Sequence, residues 1–158
     1  MLATPPIRIA TRSDALYIAE MSRDYIEFGL PWSWTPARVL HAMREPAANV
    51  VVVPHLDCIA GFGIMQYGDD DAHLALLAVH PTRRHQRLGA GLVGWLEQSA
   101  RVAGLGRIRV EARADNHSAV AFYARLGFRQ SGRIAGYYEA SIDALQLEKT
   151  LYEPAGQP

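Results

Sequence analysis

The sequence contains a single cysteine, Cys58, among 158 residues. One thiol cannot form a disulfide within the chain and supplies only one metal ligand. A disulfide framework and a multi-cysteine zinc site are therefore both excluded. We favour a small core residue over a reactive thiol for Cys58. The low cysteine content fits a reducing compartment.

The sequence also lacks net charge and long apolar runs. Its 16 Lys and Arg residues balance 16 Asp and Glu residues, so no overall field attracts the chain to nucleic acid or to an anionic membrane. No segment approaches the roughly 20 apolar residues of a membrane span, and the N-terminus has no run of signal-peptide length. The six histidines show no spacing typical of metal ligands. We expect a soluble, cytoplasmic protein without metal, nucleic-acid or membrane partners.

The chain contains enough apolar residues for one core, since 49% of its residues are hydrophobic. We predict one domain over residues 1–153 and a disordered tail over residues 154–158. Apolar periodicity predicts helices near residues 15–28, 36–44, 92–103 and 118–126, and strands near residues 7–9, 50–53, 59–67, 73–79, 108–112, 129–134 and 144–150. An antiparallel meander followed by a strand, helix, strand crossover predicts an α/β fold with a mixed sheet.

A basic turn, residues 81–91, joins a predicted strand to a predicted helix and carries Arg83, Arg84 and Arg87. Unpaired N–H groups at the start of a helix attract anions, and the glycines in this turn let a ligand approach the backbone closely. The arginines add positive charge that suits a pyrophosphate or a phosphorylated ribose. From the turn alone, phosphate binding and a solvated basic loop remain equally open.

The segment Gly89–Gly94 also spells the dinucleotide motif G-x-G-x-x-G, and Glu111 follows near the spacing of a ribose-binding acid. That motif requires its first glycine directly after the strand, whereas here the basic loop 81–88 intervenes. The antiparallel meander is also wrong for a doubly wound sheet. We therefore treat a dinucleotide-binding protein as the weaker alternative.

Asn116 and Tyr123 are seven residues apart and share a face of one predicted helix. A helix cap and a packed aromatic would give the same spacing. Together with the basic turn, however, the segment Asn116–Phe128 resembles the GCN5-related N-acetyltransferase (GNAT) family, whose N-x-x-A-x-x-x-Y-x-x-x-G-F pattern it matches completely.

The resemblance extends over most of the chain. It implies a single-domain α/β fold with a mixed, mostly antiparallel sheet, a central splayed pair of parallel strands and flanking helices. It also implies transfer of an acetyl group from acetyl-CoA to a primary amine by direct attack in a ternary complex. A non-catalytic acyl-CoA-binding module is the alternative, although such a module would not need Tyr123.

The resemblance places the family's R-G-x-G-x-G loop on Arg84–Gly89, with His85 and Arg87 in place of two customary glycines. A second register, Gln86-x-x-Gly89-x-Gly91, lengthens the loop by two residues, and we prefer the first. Bulky residues still allow amide donation where their φ values stay negative. The implied acetyl-CoA contacts are the main chain of Leu77, Ala78 and Val79, the amides of Arg84, His85, Gln86, Arg87, Leu88, Gly89 and Ala90, and the side chains of Asn116 and Tyr123.

The resemblance also suggests catalytic roles. Acetyl transfer needs a neutral amine, a stabilised oxyanion and a proton for the thiolate. The amide of Leu77 is the candidate oxyanion donor, and Tyr123 is the candidate general acid. His73 aligns with a glutamate that some members use as a base, and its imidazole suits that role. Glu111 is the reserve candidate.

The acetyl acceptor is the least defined part of this hypothesis. Trp32, Trp34, Tyr137 and Tyr138 are the candidate walls of a substrate site, and packing onto the core would explain them equally well. The tyrosine pair resembles acetyltransferases that act on the N-termini of ribosomal proteins. Both small molecules and polypeptide N-termini remain open as acceptors. A homodimer, and a preference for acyl groups longer than acetyl, are also left open.

Overall fold

The computed structural model of the chain describes residues 6–84, 86–138 and 141–152. The chain divides into two compact units. The first extends to Gln66 and resumes over Leu74–Gln98, and the second comprises Tyr67–His73 and the described residues from Ser99 onward. The single domain over residues 1–153 stays a prediction. The predicted disordered tail, residues 154–158, lies outside the described residues, as does His85.

The first unit contains most of the helices. In chain order its elements are β1 (Arg8–Ile9), α1 (Ala15–Met21), α2 (Pro36–Arg44), β2 (Ala48–His55), β3 (Cys58–Tyr67, up to Gln66), the second part of β4 (Asp71–Val79) and most of α3 (Leu88–Val102). β1 pairs antiparallel with β2, and β2 pairs antiparallel with β3. The predicted β2–β3 hairpin is therefore present. β2 continues past Val53 because its register shifts at Pro54, which has no N–H for the ladder.

The core of this unit lies between the strands and the first two helices. Ile18 and Val39 from the helices pack with Val52, Phe62 and Ile64 from the strands, and all five are fully buried. Helix α2 begins as its sequence indicates: Pro36 occupies its first turn and the hydroxyl of Thr35 accepts from the amide of Arg38.

The first helix differs from its prediction. α1 ends at Met21 and continues as one π-helical turn, Ser22–Ile26, in which the amide of Glu27 donates to the carbonyl of Ser22 at 2.7 Å. Gly29 then takes a φ of +76°, which a glycine adopts without strain. Apolar spacing predicted a regular α-helix over this region, because that spacing does not distinguish α from π hydrogen bonding.

The second unit contains β5 (Arg107–Arg113), α4 (His117–Arg125), β6 (Arg129–Tyr138) and β7 (Ile142–Thr150), with the first residues of β4. Asp71–His73 pair in parallel with Arg107–Arg109. β5 pairs antiparallel with β7 along its whole length, and β6 pairs antiparallel with β7. β6 is longer than predicted and ends with Tyr137 and Tyr138.

The strands form one seven-stranded sheet in the order β1-β2-β3-β4-β5-β7-β6. Its central neighbours β4 and β5 are the parallel pair, and the pairs β1–β2, β2–β3, β5–β7 and β6–β7 are antiparallel. The predicted α/β fold with a mixed sheet and a central parallel pair is therefore confirmed.

Candidate active site

The parallel pairing of β4 and β5 brings His73 and Glu111 together. His73 is the register partner of Arg109, and Glu111 follows two residues later on the same face of β5. The resulting diagonal pair places Nε2 of His73 2.6 Å from Oε2 of Glu111. Both side chains are mostly buried, at 24% and 15% exposure. The preferred and the reserve candidate for the base are thus one hydrogen-bonded pair.

The charge of Glu111 is stabilised by its neighbours. The hydrogen bond from His73 lowers the pKa of Glu111 below its ordinary value, burial opposes this effect, and Arg109 adds a smaller lowering. Arg109 lies between two acids, with its guanidinium 3.5 Å from Glu111 and 3.4 Å from Asp71. Glu111 is therefore an ionised acceptor that holds one nitrogen of the imidazole.

Tyr123 lies on α4 and is buried, with only 7% of its surface exposed. Its ring makes edge-to-face contacts with Phe122 and Phe128, with centroids 5.1 and 5.3 Å away. Burial raises the pKa of Tyr123 above its ordinary value, and the neighbouring Tyr138 adds to this shift. A phenol keeps its proton at neutral pH even without this shift, as a general acid must, and the shift makes Tyr123 a weaker acid.

The two consecutive tyrosines of β6 have different environments. Tyr137 is 49% exposed, and its ring meets that of Tyr138 edge to face at 4.8 Å. Burial raises the pKa of Tyr138 to about 12, and the nearby Tyr137 and Glu111 contribute further. Tyr138 therefore lies within electrostatic range of both Tyr123 and Glu111.

Asn116 is the N-cap of α4. Its side-chain oxygen accepts from the amide of Ala119 at 3.1 Å. The helix cap that we weighed as an alternative is therefore present. Its Oδ1 is engaged in the cap, while the amide nitrogen remains chemically able to donate to a ligand. The cofactor role of Asn116 stays a prediction.

The strand β4 alternates between core and partly exposed faces. Ala78 is buried, whereas His73, Leu77 and Val79 share the less buried face. The ladder between β4 and β5 ends at His73. This ending agrees with a splay between the two strands, while the main-chain roles of Leu77, Ala78 and Val79 stay predictions.

Side chains of the basic turn are fixed by hydrogen bonds within the first unit. Arg83 donates to the side chain of Gln86 at 2.8 Å and lies 2.6 Å from Nδ1 of His55. Arg84 donates to the carbonyl of Val79 at 3.3 Å. The thiol of Cys58 is half-buried and donates to the carbonyl of His55 at 3.3 Å. The turn is thus an organised part of the fold.

Arg87 has a positive φ of +60° directly before α3. This is the left-handed region, which glycine enters freely and a residue with a side chain enters at a cost. The negative φ that we set as the condition for amide donation by a bulky loop residue is therefore not met at Arg87. The finding agrees with the preferred register, because that register places a customary glycine at this position.

The residues around the basic turn differ in exposure. Gln86 and Arg87 are exposed, Leu88 is buried, and Gly89 and Ala90 are partly buried at the start of α3. The cofactor roles of these residues, and of Arg84, stay predictions. His85, the remaining candidate of this loop, lies outside the described residues.

The two candidate tryptophans of the first unit also differ. Trp32 is 37% exposed, and its indole N–H donates to the carbonyl of Ala19 at 3.2 Å. Trp34 is 7% exposed, and the guanidinium of Arg38 lies 3.9 Å from its ring centroid. Trp32 can contact a ligand directly, whereas Trp34 mainly supports the loop. Their substrate roles stay predictions.

Gly94 provides a test of the dinucleotide alternative. In that motif the third glycine is required because helix and strand pack closely. A Cβ atom at Gly94 would have no neighbour within 4 Å. Gly94 therefore does not have the packing role that the motif requires, in agreement with our preference against this alternative.

The residues that the structure describes were compared with the requirements of a metal site and of a membrane-spanning helix. Within residues 6–84, 86–138 and 141–152, no three His, Cys, Asp or Glu side chains are grouped so as to hold a metal ion. In the same part of the chain, no helix has the length and apolarity needed to cross a bilayer.

The sequence defines the class of this protein, an acetyl-CoA-dependent N-acetyltransferase. The sequence profile of the Acetyltransferase (GNAT) family matches residues 15–128, more than two thirds of the chain. The chain belongs to this family. The predicted family and the predicted enzymatic activity are both confirmed.

Alignments with two named relatives cover half of the chain in one case and nearly all of it in the other. The [ribosomal protein bS18]-alanine N-acetyltransferase of Escherichia coli K12 is 35% identical over 80 residues, which is 51% of this chain and 54% of that enzyme. The chain thus matches about half the length of this relative. The N-alpha-acetyltransferase RimI of Mycobacterium tuberculosis is 27% identical over 159 residues, which covers 96% of this chain and 98% of that protein.

Solved structures agree with the fold. Ard1 from Thermoplasma volcanium has a TM-score of 0.82 at 23% identity and covers 96% of this chain and 100% of its own. The ribosomal-protein-S18-alanine N-acetyltransferase from E. coli has a TM-score of 0.80 at 23% identity, with 97% of each chain covered. At this identity the similarity concerns the fold alone.

Proposed function

We propose that the enzyme acetylates the α-amino group of a polypeptide chain, and that a ribosomal protein with an N-terminal alanine is the first acceptor to test. The main observation in support of the proposed proton transfer is the His73–Glu111 pair, whose hydrogen bond is 2.6 Å long. The relatives named for ribosomal protein bS18 and for N-alpha acetylation support the choice of acceptor. We further propose a cytoplasmic location.

The residues of the first unit fit acetyl-CoA. The basic turn offers Arg83, Arg84 and Arg87 beside the start of α3, where helical N–H groups favour phosphate. The main chain of Leu77–Val79 would bind the pantetheine arm. When bound, acetyl-CoA supplies an acetyl thioester, which is the acyl donor.

His73 is the proposed base. Because Glu111 is ionised and accepts only, the imidazole presents an N–H at Nε2 to it, which leaves Nδ1 with a lone pair. Nδ1 then takes a proton from the attacking amine, directly or through a water. Glu111 orients the ring and stabilises the positive charge that the ring acquires, as the acid of a Ser-His-Asp triad does.

Tyr123 and Leu77 complete the proposed chemistry. The Tyr123 phenol is protonated at neutral pH, as phenols ordinarily are, so it can donate its proton to the departing sulfur. The amide of Leu77 would donate to the thioester oxygen as negative charge develops there. Asn116 would bind the cofactor through its amide nitrogen while its oxygen caps α4.

A peptide panel tests the acceptor. Purified enzyme with acetyl-CoA is offered a short peptide that begins with alanine, the same peptide with a blocked N-terminus and one lysine, and small amines such as spermidine. Mass spectrometry identifies the acetylated atom, and free thiol release gives the rate. We expect acetylation of the free α-amine only. Turnover of the lysine peptide or of the small amines alone would refute the proposal.

A further inference from the structure

Glu27 is a buried carboxylate that the proposed chemistry does not use. Only 7% of its surface is exposed. Its oxygens accept from the amide of Ser33 at 2.7 Å, the hydroxyl of Ser33 at 2.6 Å, the hydroxyl of Ser22 at 2.8 Å and the amide of Trp34 at 3.3 Å. One side chain thus binds both the preceding helix and the following loop.

The backbone reinforces this arrangement. The π-helical turn places Glu27 so that its own amide bonds to Ser22 and its carbonyl accepts from Leu30 at 2.9 Å. Gly29, at a φ of +76°, allows the chain to reverse between these two bonds. π-helical turns are uncommon and occur frequently at functional sites. The segment that Glu27 holds, residues 28–34, is named here the tryptophan loop.

The tryptophan loop presents aromatic surface to solvent. Phe28 is 48% exposed and Trp32 is 37% exposed, although both are large and apolar. The indole of Trp32 is held by Ala19, and the guanidinium of Arg23 lies 5.4 Å from its ring centroid. Exposed aromatic side chains on a fixed backbone have little conformational entropy to lose on binding.

Stability alone does not account for a charge at this position. An apolar side chain of similar volume is commonly as good as a buried ionic group for folding free energy, or better. The Glu27 carboxylate nevertheless stays ionised: burial raises its pKa, but the hydrogen bonds from Ser33, Ser22 and Trp34 together hold the pKa below its ordinary value. The carboxylate specifies one loop conformation by accepting from two consecutive backbone amides.

We propose that Glu27 is a positioning residue for the acceptor: it holds the tryptophan loop so that Trp32 and Phe28 form a preformed apolar surface that binds the acceptor polypeptide. This inference rests on the proposed function for the nature of the acceptor. Trp34 is buried, with the guanidinium of Arg38 over its ring, and supports the tryptophan loop without contacting the acceptor.

The decisive variant is Glu27→Gln, which keeps the volume and turns one acceptor atom into a donor that faces N–H and O–H groups. Asp14→Asn is the matched control. Asp14 is also a buried carboxylate of the first unit, 4% exposed, and accepts from Arg8 and from the amide of Thr11. Both substitutions remove a hydrogen-bonded buried charge, but only the first touches the tryptophan loop.

Steady-state kinetics with the best acceptor peptide, well below the melting temperature of each variant, give the test. We expect Glu27→Gln to raise the KM for the peptide about tenfold, because the loop is no longer preorganised. Its KM for acetyl-CoA and its kcat should be unchanged. Asp14→Asn should leave all three constants unchanged. Hydrogen exchange of the Ser33 and Trp34 amides should accelerate in Glu27→Gln only.

Other results would contradict either the positioning role of Glu27 or the proposed function. An unchanged peptide KM in Glu27→Gln, or equal increases in both variants, would show that Glu27 serves stability alone. Wild-type enzyme that acetylates only small amines would instead refute the proposed function. The positioning role is then judged on the KM for that amine, and an unchanged value in Glu27→Gln would refute it as well.

Discussion

Gly61 of β3 lies against the strand proposed to bind pantetheine. A Cβ atom placed on Gly61 would be 3.1 Å from the carbonyl oxygen of Ala78, 3.3 Å from Leu92 and 3.4 Å from Val79. The carbonyl belongs to the backbone of β4 and cannot rotate away as a side chain can. We therefore expect Gly61→Ala to displace β4 locally.

The magnitude follows from two opposing terms. Inserting a methyl group into a close-packed contact costs roughly 2 kcal/mol, and the lower entropy of the unfolded chain with alanine returns roughly 0.7 kcal/mol. Since the φ of Gly61 is not positive, alanine adds no backbone strain. A net loss of about 1 kcal/mol lowers the Tm of a chain of this size by about 2–4 °C.

Gly94→Ala is the matched control on helix α3. A Cβ atom there has no neighbour within 4 Å, and alanine is favoured over glycine inside a helix by about 0.5–1 kcal/mol. We expect the Tm of Gly94→Ala to rise, opposite to that of Gly61→Ala. The two variants add the same methyl group, one against the backbone of β4 and one into open space, so opposite shifts in Tm would separate the close contact at Gly61 from the gain in backbone entropy.

Thermal unfolding followed by circular dichroism, with and without acetyl-CoA, measures both effects. Acetyl-CoA at 100 times its Kd should stabilise wild type by about 2.7 kcal/mol. We expect less stabilisation at that concentration for Gly61→Ala, because the displaced carbonyl of Ala78 lies in the proposed pantetheine strand. A Tm of Gly61→Ala at or above that of wild type would refute the packing argument. Equal stabilisation of both proteins would refute the link to the cofactor.

Four further predictions concern single side chains. Tyr123→Phe should lower kcat about 100-fold or more with little change in acetyl-CoA affinity, and unchanged turnover would remove Tyr123 from the acid role. His73→Ala should lower kcat/KM about 100-fold or more, and an unchanged kcat/KM contradicts the base assignment. Arg87→Gly should raise stability by about 1 kcal/mol by relieving the positive φ while weakening acetyl-CoA binding. Glu27 has a lowered pKa, so its contribution is present above the unfolded value of about 4.3 and is lost as pH falls through the folded one. The Tm gap between wild type and Glu27→Gln should therefore be wide at pH 7 and should narrow as the pH falls through the folded-state pKa of Glu27, which lies below the ordinary value.

Much of the fold could be predicted because local rules and the final packing agree. Ile108, Val110 and Ala112 alternate in sequence and are all buried on β5. The helix predicted near residues 118–126 is followed by Gly127, which takes a φ of +96° just after α4, as glycine commonly does at the end of a helix. These features depend on neighbours within a few residues, which is the range that sequence patterns describe.

The features that were not predicted depend on residues far apart or on backbone strain. The π-helical turn at Ser22–Ile26 is held by Glu27, whose main partner, Ser33, lies in the next loop. The left-handed Arg87 contradicts the preference of its residue type, so no propensity indicates it. Such positions depart from local rules, and departures of this kind concentrate at functional sites.

The His73–Glu111 contact could be predicted only in part from the sequence. Both residues were candidates for the base, but their contact depends on the register of a parallel pair whose strands are joined through a helix. The register of His73 with Arg109 places Glu111 one diagonal step away. A shift of one residue would turn Glu111 to the opposite face.

The lone thiol of Cys58 gives this enzyme a natural attachment point for a spectroscopic probe. It is the only cysteine in the chain. Its thiol donates a hydrogen bond to the main-chain carbonyl of His55, and the ring of His55 contacts Arg83 of the basic turn. A maleimide fluorophore would attach at one position without any substitution elsewhere. Its emission would report whether the basic turn is occupied, so the affinity for acetyl-CoA and its analogues could be titrated directly, without turnover.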